Sequence, residues 1–306
     1  MREFVIRRFA SMIVTLFVIA TVTFFLMHSI PGDPFSLPRE TPPEIRANLE
    51  EKYGLNEPLS TQYLIYMKNL LKGDFGVSMK YKGTTVVEKV ASGIPKSAVI
   101  GFGGILVGCT TGILFGIIAA LNRGKGFDYL IIIIAILGVS IPSFVMASLL
   151  QYAFAVKFQW FKVAGWGGIE YLILPIFSAA MMNMAFYARI LRSSMLDVLN
   201  QDYVFTARSK GLHKAEVIQK HVLRNSLLPL VTSLGPMCAG AITGNFVIEK
   251  IFNIPGIGQS LIIAIQNSDY TMIMGLTIIF AFITIVMYFI VDIMYGIVDP
   301  RIRLVK

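Results

Sequence analysis

The chain has 306 residues, 55% of them hydrophobic and only 15% charged. Soluble domains run to about 45–50% apolar and about 25% charged, so with a mean hydropathy of +0.69 the sequence reads as an all-α polytopic membrane protein. The net charge of +9 does not point to nucleic acid, because the bases lie between apolar runs, where they set membrane orientation.

Taken in chain order, uncharged apolar runs long enough to span a bilayer are Phe9 to Ile30, Ser97 to Leu121, Tyr129 to Val156, Tyr171 to Ala188, Asn225 to Ile248 and Tyr270 to Val291. The first follows Arg7 and Arg8, is too long for a signal-peptide core and lacks a small-x-small cleavage site. It reads as an uncleaved anchor. The run Ile251 to Ser268 is not counted as a span. Pro255, Gly256 and Gly258 break it and would release backbone groups that lipid cannot satisfy, so a re-entrant or surface-lying outer segment is expected over about 251–268. Six transmembrane helices follow. With both termini cytoplasmic, the inner segments collect Arg2, Arg7, Arg8, Arg123, Lys125, the seven bases from Arg189 to Arg224, Arg301, Arg303 and Lys306. The two short outer segments hold only Lys157, Lys162 and Lys250. A seventh span would place "RIRLVK" outside, against the positive-inside rule. The expected organisation is therefore 1–30 as N-terminal end and first span, 31–96 as a helical extracytoplasmic subdomain, and 97–306 as a core of five further spans.

Within the long outer loop, "TPPEIRANLEEKYG" opens on Thr41 and prolines and stops at Gly54, a helix signature. "LSTQYLIYMKNLLKG" predicts a second helix capped by Ser60 or Thr61, with Leu64, Met67 and Leu71 on one face and Gly73 at its end. Packing over the membrane and docking of an outside partner both fit these helices.

The second span repeats glycine every fourth residue, at Gly104, Gly108, Gly112 and Gly116. Such a small-xxx-small stripe lets another helix approach closely. Pro142 in the third span and Pro236 in the fifth remove backbone hydrogen bonds and can kink them. Asn183 and Asn245 are the polar residues of the fourth and fifth spans and are candidates for lining a pathway. Asp292 and Glu249 fall at span ends, and no acid or His relay crosses a midplane. No nucleotide-binding, hydrolase or metalloprotease motif is present. Cys109, Cys238 and the three histidines have no metal-ligand or disulfide spacing, so neither a catalytic nor a metal site is expected.

The anomaly is the segment from about 191 to 224, which contains "TARSKGLHKAEVIQKH". Placing the charges of Arg189 to Arg224 at a bilayer centre would cost on the order of 25–35 kcal/mol, so the segment belongs in the cytoplasm. Leu212, Ala215, Ile218 and Val222 recur at helical spacing, and Gly211 suits a left-handed turn. A helix-turn-helix excursion is expected. Its residues alone leave anionic lipid and a cytoplasmic protein equally open as its partner.

"TARSKG" followed by "HVLRNSLLPL" resembles the cytoplasmic EAA loop of bacterial ABC importer permeases, in the version of the dipeptide/oligopeptide/nickel group. Ala207 and Gly211 match its alanine and glycine. Arg208 stands in place of the second alanine and Thr206 in place of the glutamate. "IPGDPF", "EKYGLNEPLSTQYLIYMKNLLKGDFGVSMKYK", "IFNIPGIGQ" and "YGIVDPRIR" extend the likeness to the B-type permease of oligopeptide importers over nearly the whole chain. The resemblance implies a type I ABC importer permease fold and a heterodimer with a second permease subunit. It also implies two ATPase subunits that hold ATP and Mg, and an extracytoplasmic peptide-binding protein. It makes Thr206, Ala207, Arg208, Gly211, Leu212 and Glu216 the ATPase-coupling loop. Rival readings are the same fold carrying dipeptide, glutathione or nickel chelate, a secondary transporter, and a non-transporting anchor.

Overall fold

The computed structural model describes residues 2–30, 50–81 and 83–298. Among them the regular structure is helical, apart from one isolated antiparallel bridge between Val77 and Thr85. It divides into two compact units, one of residues 1–96 and 255–306, the other of residues 97–254.

In the first unit, α1 (Arg2–Ser29) packs along α12 (Tyr270–Val298). Phe9 meets Phe289 edge-on, with centroids 6.3 Å apart, and Arg8 pairs with Asp292 at 3.2 Å. The helix α2 (Leu59–Leu71) turns its aromatic positions to α1. The hydroxyls of Tyr63 and Thr21 lie 2.8 Å apart, and the His28 ring meets Gln62 at 3.1 Å. This corrects one expectation. Pro58, not Ser60 or Thr61, occupies the cap position, with no side-chain cap. Leu64 and Leu71 are exposed, while Tyr63 and Tyr66 carry the larger apolar area to Phe24. The helix expected from Thr41 lies mostly outside the described residues. Its end, residues 50–53, is helical, and Gly54 turns out of it at φ +62°.

The loop after α2 is fastened by Asp269, which is 1% exposed. Its carboxylate accepts from the Ser78 hydroxyl, from the Met79 N–H at 3.2 Å and from the Met272 N–H at 3.3 Å. It thereby anchors the loop while capping the first turn of α12. The helix α11 (Ile257–Gln266) starts from Gly256. Gly258 lies buried in its first turn rather than breaking it, since a helix N-terminus has free N–H groups in any case. Gly93 admits α11: a Cβ there would lie 2.8 Å from the Ile257 nitrogen.

α3 (Val86–Leu121) begins eleven residues before the expected span. A reciprocal cap sets its start, with the Thr85 N–H donating to Glu88 at 3.0 Å and the Glu88 N–H donating to Thr85 Oγ1 at 3.1 Å. The helix carries the chain into the second unit. There the third span is broken rather than kinked: α4 (Gly126–Ser140) and α5 (Ser143–Lys157) meet at 106°. Pro142 drives its predecessor out of helical geometry, and Ile141 is extended at φ −85°, ψ 120°. The last turns of α5, Gln151–Lys157, are π-helical.

α6 (Ile169–Leu199) runs beyond the expected Ala188, so Arg189 and Arg192 belong to this helix. The island follows as α7 (Asp202–Ser209) and α8. The latter begins at Lys214–Glu216, passes into a π-helical Val217–Leu223 and ends at Arg224–Ser226. α9 (Leu228–Thr243) stops at Gly244, whose φ is +87°, and α10 (Phe246–Ile251) resumes. Among the described residues, five helices are long and apolar enough to cross a membrane, or six with the α4–α5 pair as one broken span.

Candidate functional site

The island is built on an apolar floor. Val204 and Ala207 of α7 and Val217 and Val222 of α8 are buried with Leu191 and Met195 of α6 and Ala120 of α3. Burying a valine of this kind stabilises by about 1.5–3 kcal/mol, enough to hold so short a helix pair in place. The expected apolar face was Leu212, Ala215, Ile218 and Val222. The observed one differs: Ala215 is exposed, while Val217 and Val222, five residues apart, are buried. The i→i+5 repeat of a π-helix brings those two to one face.

Gly211 stands at the tip of the turn with φ +80°, and nothing lies within 4 Å of where a Cβ would be. Glycine is needed there for its backbone angle alone. The turn is closed by the Lys210 N–H donating to Thr206 O at 3.1 Å and the Gly211 N–H donating to Arg208 O at 2.9 Å. His213 caps α8, its Nδ1 accepting from the Ala215 N–H at 3.3 Å. Around the tip, Tyr203 and Phe205 are 42% and 53% exposed, and the Arg208 guanidinium lies 6.0 Å from the Phe205 ring. The Thr206 hydroxyl turns inward to Asp202 O at 3.0 Å. Leu212 packs at the edge of the floor. Lys220 bonds Glu216 at 2.8 Å and holds its carboxyl below the usual glutamate range. The outcome is a convex knob with a rigid apolar base and a rim of cations and aromatic rings, suited to insertion in a groove of another protein.

The four glycines of α3 face α6. A Cβ on Gly104 would lie 2.7 Å from Ala179 Cβ, on Gly108 2.6 Å from Asn183 Cβ, on Gly112 2.7 Å from Tyr187 Cβ, and on Gly116 2.8 Å from Leu191 Cβ. Asn183 thus packs on Gly108, its amide donating to Ala179 O at 3.5 Å. Asn245 occupies the N-cap position of α10 without a side-chain cap, its backbone carbonyl accepting from the Glu249 N–H at 2.8 Å. Gly101, which the repeat did not include, meets the Ala241 backbone of α9.

The pair the sequence did not reveal is Asp128–Arg192. Arg192 Nε and Nη2 reach the two carboxylate oxygens at 2.6 and 2.8 Å. Asp128, 2% exposed, also accepts from the Gly124 N–H at 2.9 Å. The fork fixes the start of α4 against the stretch of α6 that leads into the island. Its signal was the proximity of both residues to span ends, where Arg192 had counted only as an orientation charge.

Residues 112–304 match the family model described as binding-protein-dependent transport system inner membrane component. Residues 1–83 match the model of the N-terminal part of such membrane components. The chain belongs to this family. Among similar proteins, the oligopeptide transport system permease protein OppB of Salmonella typhimurium is 43% identical over 281 residues, covering 91% of this chain and 92% of that protein. The dipeptide transport system permease protein DppB of Bacillus subtilis is 44% identical over 306 residues, covering 100% and 99%. DppB of Lactococcus lactis is 39% identical over 304 residues, covering 99% and 100%. A solved amino acid ABC transporter structure aligns with a TM-score of 0.55 at 17% identity, over 70% of this chain and 94% of its own, a likeness of fold. As a member of this family the chain is a permease, a multi-pass membrane component of a binding-protein-dependent transport system. The knob and the α3–α6 interface both fall within the matched 112–304 region or reach into it.

Proposed function

We propose that this permease forms half of the translocation pathway of an ATP-driven oligopeptide importer. Identity of 43% over 91% of the chain to an oligopeptide permease carries this reading. The 44% identity to a dipeptide permease over the full length favours dipeptide as the second cargo. The pathway is completed by a second permease subunit. An extracytoplasmic binding protein delivers the peptide, and two ATPase subunits hold ATP and Mg. This chain binds no cofactor and performs no covalent chemistry.

The α7–Gly211–α8 knob is the coupling element. Its exposed tip and buried floor suit a part that must be gripped by an ATPase and move α6 with it. Ala207 serves the floor, Gly211 the turn, and Arg208, Leu212, Thr206 and Glu216 the rim. ATP binding closes the ATPases and shifts the spans to an outward-open state; hydrolysis returns them. This is alternation between discrete packed states. The fifteen-base bias of the inner segments supports a cytoplasmic location for both termini and the knob, with 251–268, including Pro255, Gly256 and Gly258, on the outer side.

The test is reconstitution in vesicles with the second permease, the ATPases and the binding protein. Peptide-stimulated ATP hydrolysis and peptide uptake are expected together, and both are lost when the ATPases are omitted. Proton-gradient-driven uptake by this chain alone would make it a secondary transporter. An intact uptake rate after its deletion would make it an anchor.

A further inference from the structure

A cavity of about 190 Å³ opens beside the knob, lined by Ala120 and Leu121 of α3, Leu199 of α6, Val217 and Ile218 of α8, and two cations, Arg208 and Lys214. It is larger than a single water requires, a water's share of the liquid being about 30 Å³. Its composition is divided. Leu121 is the last residue of the apolar helix α3, so this side of the wall lies where α3 leaves the hydrocarbon, while Leu199 ends the charged turns of α6 beyond Arg189 and Arg192. Arg208 and Lys214 are exposed, and among the described residues no carboxylate lies within ion-pair distance of either. The acid on the same helix, Glu216, is engaged by Lys220. An apolar wall at the membrane boundary with two cations across it is the arrangement that takes the head of an anionic lipid, its phosphate on the bases and its glycerol and upper chains on the aliphatic side.

We propose that this cavity is a site for the phosphate headgroup of an anionic phospholipid. The proposal rests on α3 and α6 spanning the membrane and is independent of which peptide is carried. The lipid is favoured over an acidic protein side chain because the end of the apolar span α3 lines the wall opposite the two cations. A bound headgroup bridges α7 and α8 through Arg208 and Lys214, bracing the knob from its membrane side and leaving the Gly211 tip free for another subunit.

The experiment is native mass spectrometry of the purified transporter, delipidated and then titrated with phosphatidylglycerol or phosphatidylcholine. Retention of one phosphatidylglycerol per copy of this chain is expected, with phosphatidylcholine displaced. Lys214→Gln is expected to weaken retention about fivefold, the effect of one surface cation on an anionic lipid. Lys214→Arg, which keeps the charge, is expected to restore it. Lys220→Gln, which alters a lysine outside the cavity, is expected to leave retention unchanged. Equal retention of the two lipids would overturn the proposal, as would equal loss in Lys214→Gln and Lys220→Gln, which marks unspecific charge. Displacement of phosphatidylglycerol by millimolar inorganic phosphate would reassign the site to free phosphate. If Lys214→Gln left lipid retention intact but released the ATPase subunits, the occupant would be an acidic side chain of a partner, and the lipid site would be refuted.

Discussion

Arg192 grips Asp128 with two nitrogens, at 2.6 and 2.8 Å, while the Asp128 carboxylate is turned to the Gly124 N–H at 2.9 Å. This one carboxylate therefore ties three pieces of chain together: the turn at Gly124, the first turn of α4 and the lower part of α6. Removing one partner of such a buried pair costs about 3–5 kcal/mol, because the other charge is stranded, whereas replacing both by apolar residues is often neutral. Arg192→Met is thus expected to lower the thermal midpoint of the purified permease clearly. The double change Arg192→Met with Asp128→Leu should recover most of it. A double variant as unstable as the single one would show that the pair stabilises by more than mutual neutralisation.

The α3–α6 contact makes a sharper steric prediction. Gly108→Val places carbon where Asn183 Cβ and Ala180 O already lie within 2.7 Å, and all the near atoms but one belong to backbone. The helices must separate, so loss of folded protein is expected by fluorescence-detected size exclusion. Gly240→Ala in α9 has open space around the added Cβ. It should be tolerated or gain up to about 1 kcal/mol from helix propensity.

At Gly211 the constraint is angular rather than steric. With φ at +80° and no neighbour within 4 Å, a β-branched side chain is strained by about 1–2 kcal/mol, while asparagine enters this region more readily. Gly211→Val should therefore uncouple ATP hydrolysis from peptide uptake at near-normal expression, and Gly211→Asn should retain most coupling. Equal coupling in wild type and Gly211→Val would remove the turn from the coupling element.

Acid sensitivity of the loop after α2 follows from Asp74. Burial raises its pKa, but the hydrogen bond from Lys52 at 2.9 Å, the Gly76 N–H at 3.0 Å and the Lys52 charge outweigh this and hold it below the ordinary 3.8. A carboxyl depressed in the folded state contributes stability above its unfolded pKa and loses it as pH falls through the folded value. Both side chains are more than a third exposed, so the effect is modest. Amide exchange at residues 74–77 should be slower in the wild type than in Asp74→Asn at neutral pH, and the two should converge as pH falls below about 4. Parallel profiles would place the acid limb elsewhere.

Much of this could be read from residue order. The spans, the helical island, the turn at Gly211 and the glycine repeat all rest on local patterns that survive folding. What could not be read depended on partners distant in sequence or on helix winding. Ala215 and Val217 exchange roles because α8 is wound with an i→i+5 repeat across 217–223, and hydrophobic periodicity of 3.6 assigns the wrong residue to the floor. Pro142 announced a kink but not its size. The 106° break needs Ile141 extended and a helix restarting at once from Pro142. The aromatic face of α2 prevailed over Leu64 and Leu71 because α1 offers Phe24 to it, a neighbour from the far side of the loop. Asp128–Arg192 spans 64 residues, beyond any local signal.

The glycine repeat of α3 and the contacts it makes on α6 have the same pitch. Residues 104, 108, 112 and 116 oppose 179, 183, 187 and 191, each step being four residues, or about 6 Å along a helix axis. Two combs of equal spacing engage tooth by tooth, and every partial displacement drives a side chain of α6 into the backbone of α3. The pair therefore behaves as a single rigid lever. Under the proposed coupling, a push at the lower end of α6 is carried by α3 and α6 together.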